Sequence, residues 1–207
     1  MKTVFALTIF LAAALAVYGQ PAPAQPSQCS LKLAQSPAVR GIKLGMKTAD
    51  VLAMFPGSAD QDGIRNALSK VEGYPHFGVI SINISPSMYS TKERFSGIVD
   101  YSLLFVDGGV GEYRVQYIPP PSGPKWQRVD DFVTRIAEAY NLPAAASWAA
   151  DSNINYEKTL KCDGFQVKAS TLMYQGILTV SKTEAPWRIQ LERRAAFEEN
   201  IRREFKP

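Results

Sequence analysis

The chain is poor in the side chains that most often carry chemistry. Among 207 residues there is a single histidine, His76, and there are two cysteines, Cys29 and Cys162. Structural zinc sites need four nitrogen or sulfur ligands, so this scarcity excludes them and most histidine-rich metal sites. A serine hydrolase needs a base oriented toward its nucleophile. His76 lies in the loop signal Gly73-Tyr74-Pro75-His76-Phe77, and no G-x-S-x-G occurs elsewhere, so it reads as a surface or loop-packing residue. Charge of one sign is also scarce. The 23 basic and 19 acidic residues leave a net +4, spread thinly instead of gathered in the basic patch of a nucleic-acid binder. No apolar stretch reaches the ~20 residues of a membrane span.

What is present begins with an address. Lys2 precedes an almost unbroken apolar run from Val4 to Val17, and small residues follow, with Val17 and Gly19 at positions −3 and −1 before Gln20. That is the pattern of a secretory signal peptide, residues 1–19, cleaved after Gly19 or alternatively after Ala16. Residues 20–28, QPAPAQPSQ, carry no apolar side chain other than alanine and proline and read as a flexible linker. Pro26-Ser27-Gln28 is not a lipobox, so Cys29 is not expected to be lipidated. Export to the periplasm or beyond the cell makes a Cys29–Cys162 disulfide the simplest use of two cysteines. A thiol nucleophile is the competing reading, and one histidine in an oxidising compartment argues against it.

The hydrophobic pattern divides the rest into two α+β units, 29–118 and 125–207, separated by the proline hinge 119–124. In the first, Thr48 is expected to cap a helix over 49–55, a second helix runs from about 64 to 71, and strands alternate over 80–84, 99–105 and 113–117. Asp107-Gly108-Gly109 between the last two reads as a tight hairpin. In the second unit, Trp126, Val129, Val133, Ile136 and Tyr140 form the stripe of a helix. A weak helical stretch over 144–150 and strands at 165–172, 177–183 and 187–193 follow, then a helix over about 195–205. The strict alternation of Trp187, Ile189 and Leu191 argues for a strand there and against one long C-terminal helix. Tyr-Arg-Val-Gln-Tyr at 113–117 is echoed by Trp-Arg-Ile-Gln-Leu at 187–191, which suggests duplication. The expected fold class is α+β, two tandem units of helix(-helix) followed by a three-stranded antiparallel meander, with a C-terminal helix.

The segment from Gly41 to Gly57, GIKLGMKTADVLAMFPG, carries a Gly45-Met46 step before a helix holding Val51 and Phe55. It resembles the opening of the small lipoprotein of the outer-membrane β-barrel assembly machinery. The secreted β-lactamase-inhibitor proteins, built from two tandem helix–helix–sheet units, resemble the duplicated plan. The resemblance implies an α+β fold and an interaction role; the chain lacks the lipobox of the first family and a matching inhibitory loop of the second.

Chemical motifs are few. Gly108-Gly109-Val110-Gly111 joins strands instead of opening a helix, so it is not a phosphate loop. Asp130-Asp131 and Glu198-Glu199 are adjacent on helices and point apart. Asp60-Gln61-Asp62-Gly63 lacks the later glutamate of a calcium loop and reads as a helix-entry turn. Asn83-Ile84-Ser85 is a glycosylation sequon in an expected strand. No catalytic residue, metal or cofactor is assigned.

Two surfaces are candidates for binding. The loop 85–96, SPSMYSTKERFS, carries Met88, Tyr89, Lys92, Arg94 and Phe95, residue types frequent in interface hot spots. Tyr89 and Phe95 either present themselves there or fold back over the sheet edge. The polar strand faces, with Asn83, Ser102, Arg114 and Gln116 in one unit and Lys168, Arg188 and Gln190 in the other, either form a joint docking surface or are simply solvated. The leading expectation is an exported, non-enzymatic protein that binds another protein or an envelope component, with no nucleic acid and no membrane span in the mature chain. A small-molecule or lipid carrier with a helix–sheet cleft is the alternative, and a hydrolase using Asp, Glu or Tyr groups the third.

Overall fold

A computed structural model describes residues 29–73, 77–119, 126, 128–151, 154–173 and 175–205. The expected leader, the 20–28 linker, His76 and the proline hinge apart from Pro119 lie outside the described residues. Helix α1 (Thr48–Ala53) and helix α2 (Asp62–Gly73) precede strands β1 (Val79–Ile84), β2 (Ile98–Val106) and β3 (Gly109–Tyr117). Helix α3 (Val129–Ala139) is followed by β4 (Ala149–Asp151), β5 (Ile154–Lys161), β6 (Phe165–Leu172), β7 (Gln175–Lys182) and helix α4 (Pro186–Glu204). The strands form one antiparallel seven-stranded sheet in the order β1-β2-β3-β7-β6-β5-β4. The fold is α+β, and the two strand groups join through the pairing of β3 with β7.

One face of the sheet is apolar because alternate residues of each strand are. Ile80, Ile82 and Ile84 of β1, Tyr101, Leu103 and Phe105 of β2, Tyr113 and Val115 of β3, Leu178 and Val180 of β7, and Phe165 and Val167 of β6 all point inward and are buried. Helices α2 and α3 cover the ends of this inner face. Its middle is filled by residues 29–47, which have almost no regular structure of their own. This strap starts at the Cys29–Cys162 disulfide, at the turn between β5 and β6. It buries Val39, Ile42 and Leu44 in the core. It also supplies carbonyls to two phenols that have no water to turn to: Tyr113 donates to Pro37 O at 2.6 Å and Tyr101 to Val39 O at 3.3 Å. It ends at the β2–β3 hairpin, where the Thr48 N–H and hydroxyl both bond Gly108 O. Asp107 and Gly108 both have positive φ, as a two-residue type I′ hairpin requires.

Several expectations are corrected. Thr48 does not cap α1: the N-cap position is Lys47, held in a bridge to Gly109, and Thr48 is spent on the hairpin. Helix α3 starts at Val129, and Trp126 instead meets Phe132 edge to face, ring centres 5.1 Å apart. The expected weak helix at 144–150 is one 3-10 turn, Ala145–Ser147, running into β4. Strand β5 was hidden by Lys158, a charged residue on the inward side that pairs with Asp130 of α3.

The largest correction concerns 187–193, which is helix and not strand. Pro186 stands at the first turn, where its fixed φ favours helix entry. Arg188–Glu192, Arg194–Glu198 and Arg203–Glu199 pair at helical spacing. Strand β7 already has β3 and β6 as neighbours, so no edge beside it is free for another strand. The echo of 113–117 at 187–191 therefore joins a strand to a helix and marks no structural equivalence.

Candidate functional site

The sheet's other face carries the second residue of every inward–outward pair, and the antiparallel register sets these side chains in rows. Asn83, Ser102, Arg114, Thr179, Lys168 and Thr159 are directly opposite one another across β1, β2, β3, β7, β6 and β5. A neighbouring row runs Ser81, Leu104, Glu112, Ser181, Gln166 and Lys161. A third runs Asp100, Gln116, Ile177, Ser170 and Glu157. The sequence-derived residues Asn83, Ser102, Arg114, Gln116 and Lys168 thus share one surface. Alternation alone placed them outward; their alignment into rows comes from the β3–β7 pairing.

The rows mix charge. Arg114 is exposed at the centre of β3, and Lys168 bonds Glu157 at 2.9 Å. Gln116 donates to the Gln175 amide oxygen, and Gln166 donates to the Ser181 hydroxyl at 3.1 Å. Two carboxyls on this face are themselves partly desolvated. Burial pushes Glu112 above the ordinary carboxylate range, with Lys168 opposing, and does the same to Asp100, with Arg114 opposing. Because the folded state holds the Glu112 proton more tightly than the unfolded chain, Glu112 favours folding only while protonated. That contribution is present below about pH 4 and is lost as pH rises through the raised folded value. Glu112→Gln is expected to raise Tm by about 1–3 °C near neutral pH and to leave it unchanged in acid. Calorimetry at the two pH values checks this, and a loss of stability near neutrality would contradict it.

Helix α4 crosses this outer face at its hairpin end. Pro186 lies over Gly111, where a Cβ would stand 3.0 Å from the proline ring. Arg193 clamps Asp107 with two bonds of 2.8 Å and the Phe77 carbonyl with a third of 2.7 Å. Phe197 meets the edge of Phe77, ring centres 5.8 Å apart. Between helix and sheet lies a cleft of about 270 Å³ lined by Val106, Asp107, Lys182, Glu184, Ile189 and Arg193, among others.

Other sequence-derived residues are placed differently. Arg188 and Gln190 belong to α4 and not to a strand face, so they do not extend the rows. Tyr89 and Phe95 are only 6% and 1% exposed; they are core residues packed on Phe55, Tyr89 tilted against its ring at 5.4 Å and Phe95 stacked on it at 4.6 Å. The 85–96 loop folds back, leaving Met88, Lys92 and Arg94 outside, with Arg94 bonded to Arg40 O at 3.3 Å. Thr159 and Glu157 are not legible from the sequence, because Lys158 breaks the inward row of β5, whereas the alternation of β7 does carry the signal for Thr179. Among the described residues no group of three or more His, Cys, Asp or Glu is arranged to hold a metal ion, and no helix is long and apolar enough to cross a membrane. No family model, curated protein or solved structure matches this chain.

Proposed function

We propose that the chain is an exported, non-enzymatic binding protein that docks another protein or an envelope component on the outer face of its sheet. The observation that carries the reading is the continuous row from Asn83 to Thr159, which includes Arg114 and Lys168, on a face that, among the described residues, lacks helical cover away from α4. Such a surface offers donors, acceptors and both signs of charge on a rigid frame, the composition of a polar protein–protein contact. The reading takes the two strand groups, β1–β3 and β4–β7, as two tandem helix–meander units fused through β3 and β7, in line with the resemblance of 41–57 and with the helix, α2 or α3, that precedes each group. It takes residues 1–19 as a cleaved signal peptide, in line with the Cys29–Cys162 bond.

The test is comparative capture from the periplasm or culture medium of the producing cell. The parent chain and an Arg114→Glu/Lys168→Glu variant of equal Tm are used as baits. A partner retained by the parent and reduced about tenfold or more with the variant supports the reading. Equal recovery by both baits, or none by either, removes it.

A further inference from the structure

The two edges of the sheet are built in opposite ways. At one, β4 has three residues and a register shift between Ala150 and Asp151, devices that stop an edge from pairing with another chain. At the other, β1 is VISINI, six residues with no charge, no proline and no register shift against β2. Asp107 N–H bonds Gly78 O at 2.8 Å. In an antiparallel ladder the bonded pairs alternate, so Ile80, Ile82 and Ile84 bond β2, while Val79, Ser81 and Asn83 aim their N–H and C=O groups at the open side. Among the described residues none bonds these groups.

A second feature flanks the same edge. Helix α4 runs over β3, then β2, and reaches β1 at the Phe77–Phe197 contact. It continues to Glu204, about 10 Å further at 1.5 Å per residue, or roughly two strand spacings past the sheet. This overhang carries Ile201 and Phe205, 49% and 78% exposed. At the other end of β1, just beyond Ile84, stands Met88, 68% exposed.

We infer that β1 pairs with β1 of a second copy of this chain, antiparallel about a two-fold axis at Ser81. That arrangement sets Ser81 opposite itself and Val79 opposite Asn83, with no like charges facing. Because the strands are antiparallel, the α4 overhang of each copy arrives at the Met88 end of the other. The exposed apolar residues at both ends of β1 are covered at once. A strand from a foreign protein would satisfy the edge but leave the overhang and Met88 in water. The helices also matter to the size of the contact: a strand edge alone falls short of the ~1,200 Å² that a specific interface buries.

Sedimentation equilibrium of the disulfide-intact chain beginning at Gln20 tests the pairing. The parent is expected to have twice the chain mass. Ser81→Lys and Ser81→Glu, each at an exposed side chain whose backbone N–H faces away from β2, are expected to weaken self-association by about tenfold or more. Their Tm values, measured at concentrations where the parent too is dissociated, should match the parent's. An equimolar mixture of the two variants should regain the double mass, because opposite charges then face each other at the axis. Ile201→Ser/Phe205→Ser should also dissociate the parent dimer. A monomeric parent, a Ser81→Lys variant that stays dimeric, or a mixture that stays monomeric overturns the inference; the first would leave β1 to a strand from another protein.

Discussion

Replacing both cysteines, Cys29→Ser with Cys162→Ser, is expected to lower Tm by about 10–20 °C. The bond spans a sequence separation of 133. On the chain-entropy account a loop of that size contributes up to about 5 kcal/mol, and each kcal/mol is worth roughly 2–4 °C in a domain of this length. The full effect is expected because the bond does not staple a tail that is already secure. Cys29 begins the strap, and the strap places Val39, Ile42 and Leu44 in the core and caps the hydroxyls of Tyr101 and Tyr113. Near the bond the strap is otherwise held by the Lys32–Asp163 pair, which is exposed, and by Asp163 N–H on Leu31 O. An exposed ion pair adds little. Calorimetry of parent and variant, each with and without reductant, gives the measurement. Reductant should shift the parent to the variant's Tm and leave the variant unmoved; a drop below about 3 °C would mean that the strap holds without its anchor.

Phe55→Ala is expected to cost about 3–5 kcal/mol, the range for removing a buried aromatic ring. Phe55 has no exposed surface and lies against three rings, Phe95 at 4.6 Å, Tyr89 at 5.4 Å and Tyr101 at 6.3 Å. Two of these belong to the 85–96 loop, so the truncation removes the floor on which that loop rests. A second readout follows: trypsin should cut at Lys92 or Arg94, both exposed, faster in the variant than in the parent. Lys92→Ala makes the control, since an exposed side chain in the same loop should change stability by no more than about 0.5 kcal/mol. Urea melts of the three proteins decide it, and similar midpoints for Phe55→Ala and Lys92→Ala would refute the role given to the ring.

Alternation made the central strands readable. Ile80, Ile82 and Ile84, or Tyr113, Val115 and Tyr117, have a period of two and sit between turn residues, so position, face and the polar character of Arg114 and Lys168 followed from the chain itself. Alternation also misled at Trp187, Ile189 and Leu191. There the apolar residues do not line a core: Trp187 and Leu191 are exposed, and only Ile189 turns toward the sheet. A period is informative only when something buries it, and burial is a property of the whole fold. Strand β5 fails in the reverse sense, its inward row interrupted by Lys158, whose partner Asp130 is supplied by a distant helix. Tyr89 and Phe95 show the same dependence. An aromatic in a polar loop is equally suited to a partner's surface or to its own core, and Phe55, more than thirty positions earlier, decides between them.

The strap has a consequence for the order of assembly. Residues 29–47 are the first of the folded region to be synthesised, yet every site that receives them lies later in the chain: Tyr101, the 107–109 hairpin, Tyr113 and, last, Cys162. The beginning of the fold must therefore wait for most of its end. Contacts of such long sequence separation pay their loop-closure entropy before any reward arrives and slow the search for the native state. During that wait the inner sheet face lacks its central filling, and a chaperone or an oxidising catalyst would find its substrate in that interval, with Cys29 the thiol longest without its mate.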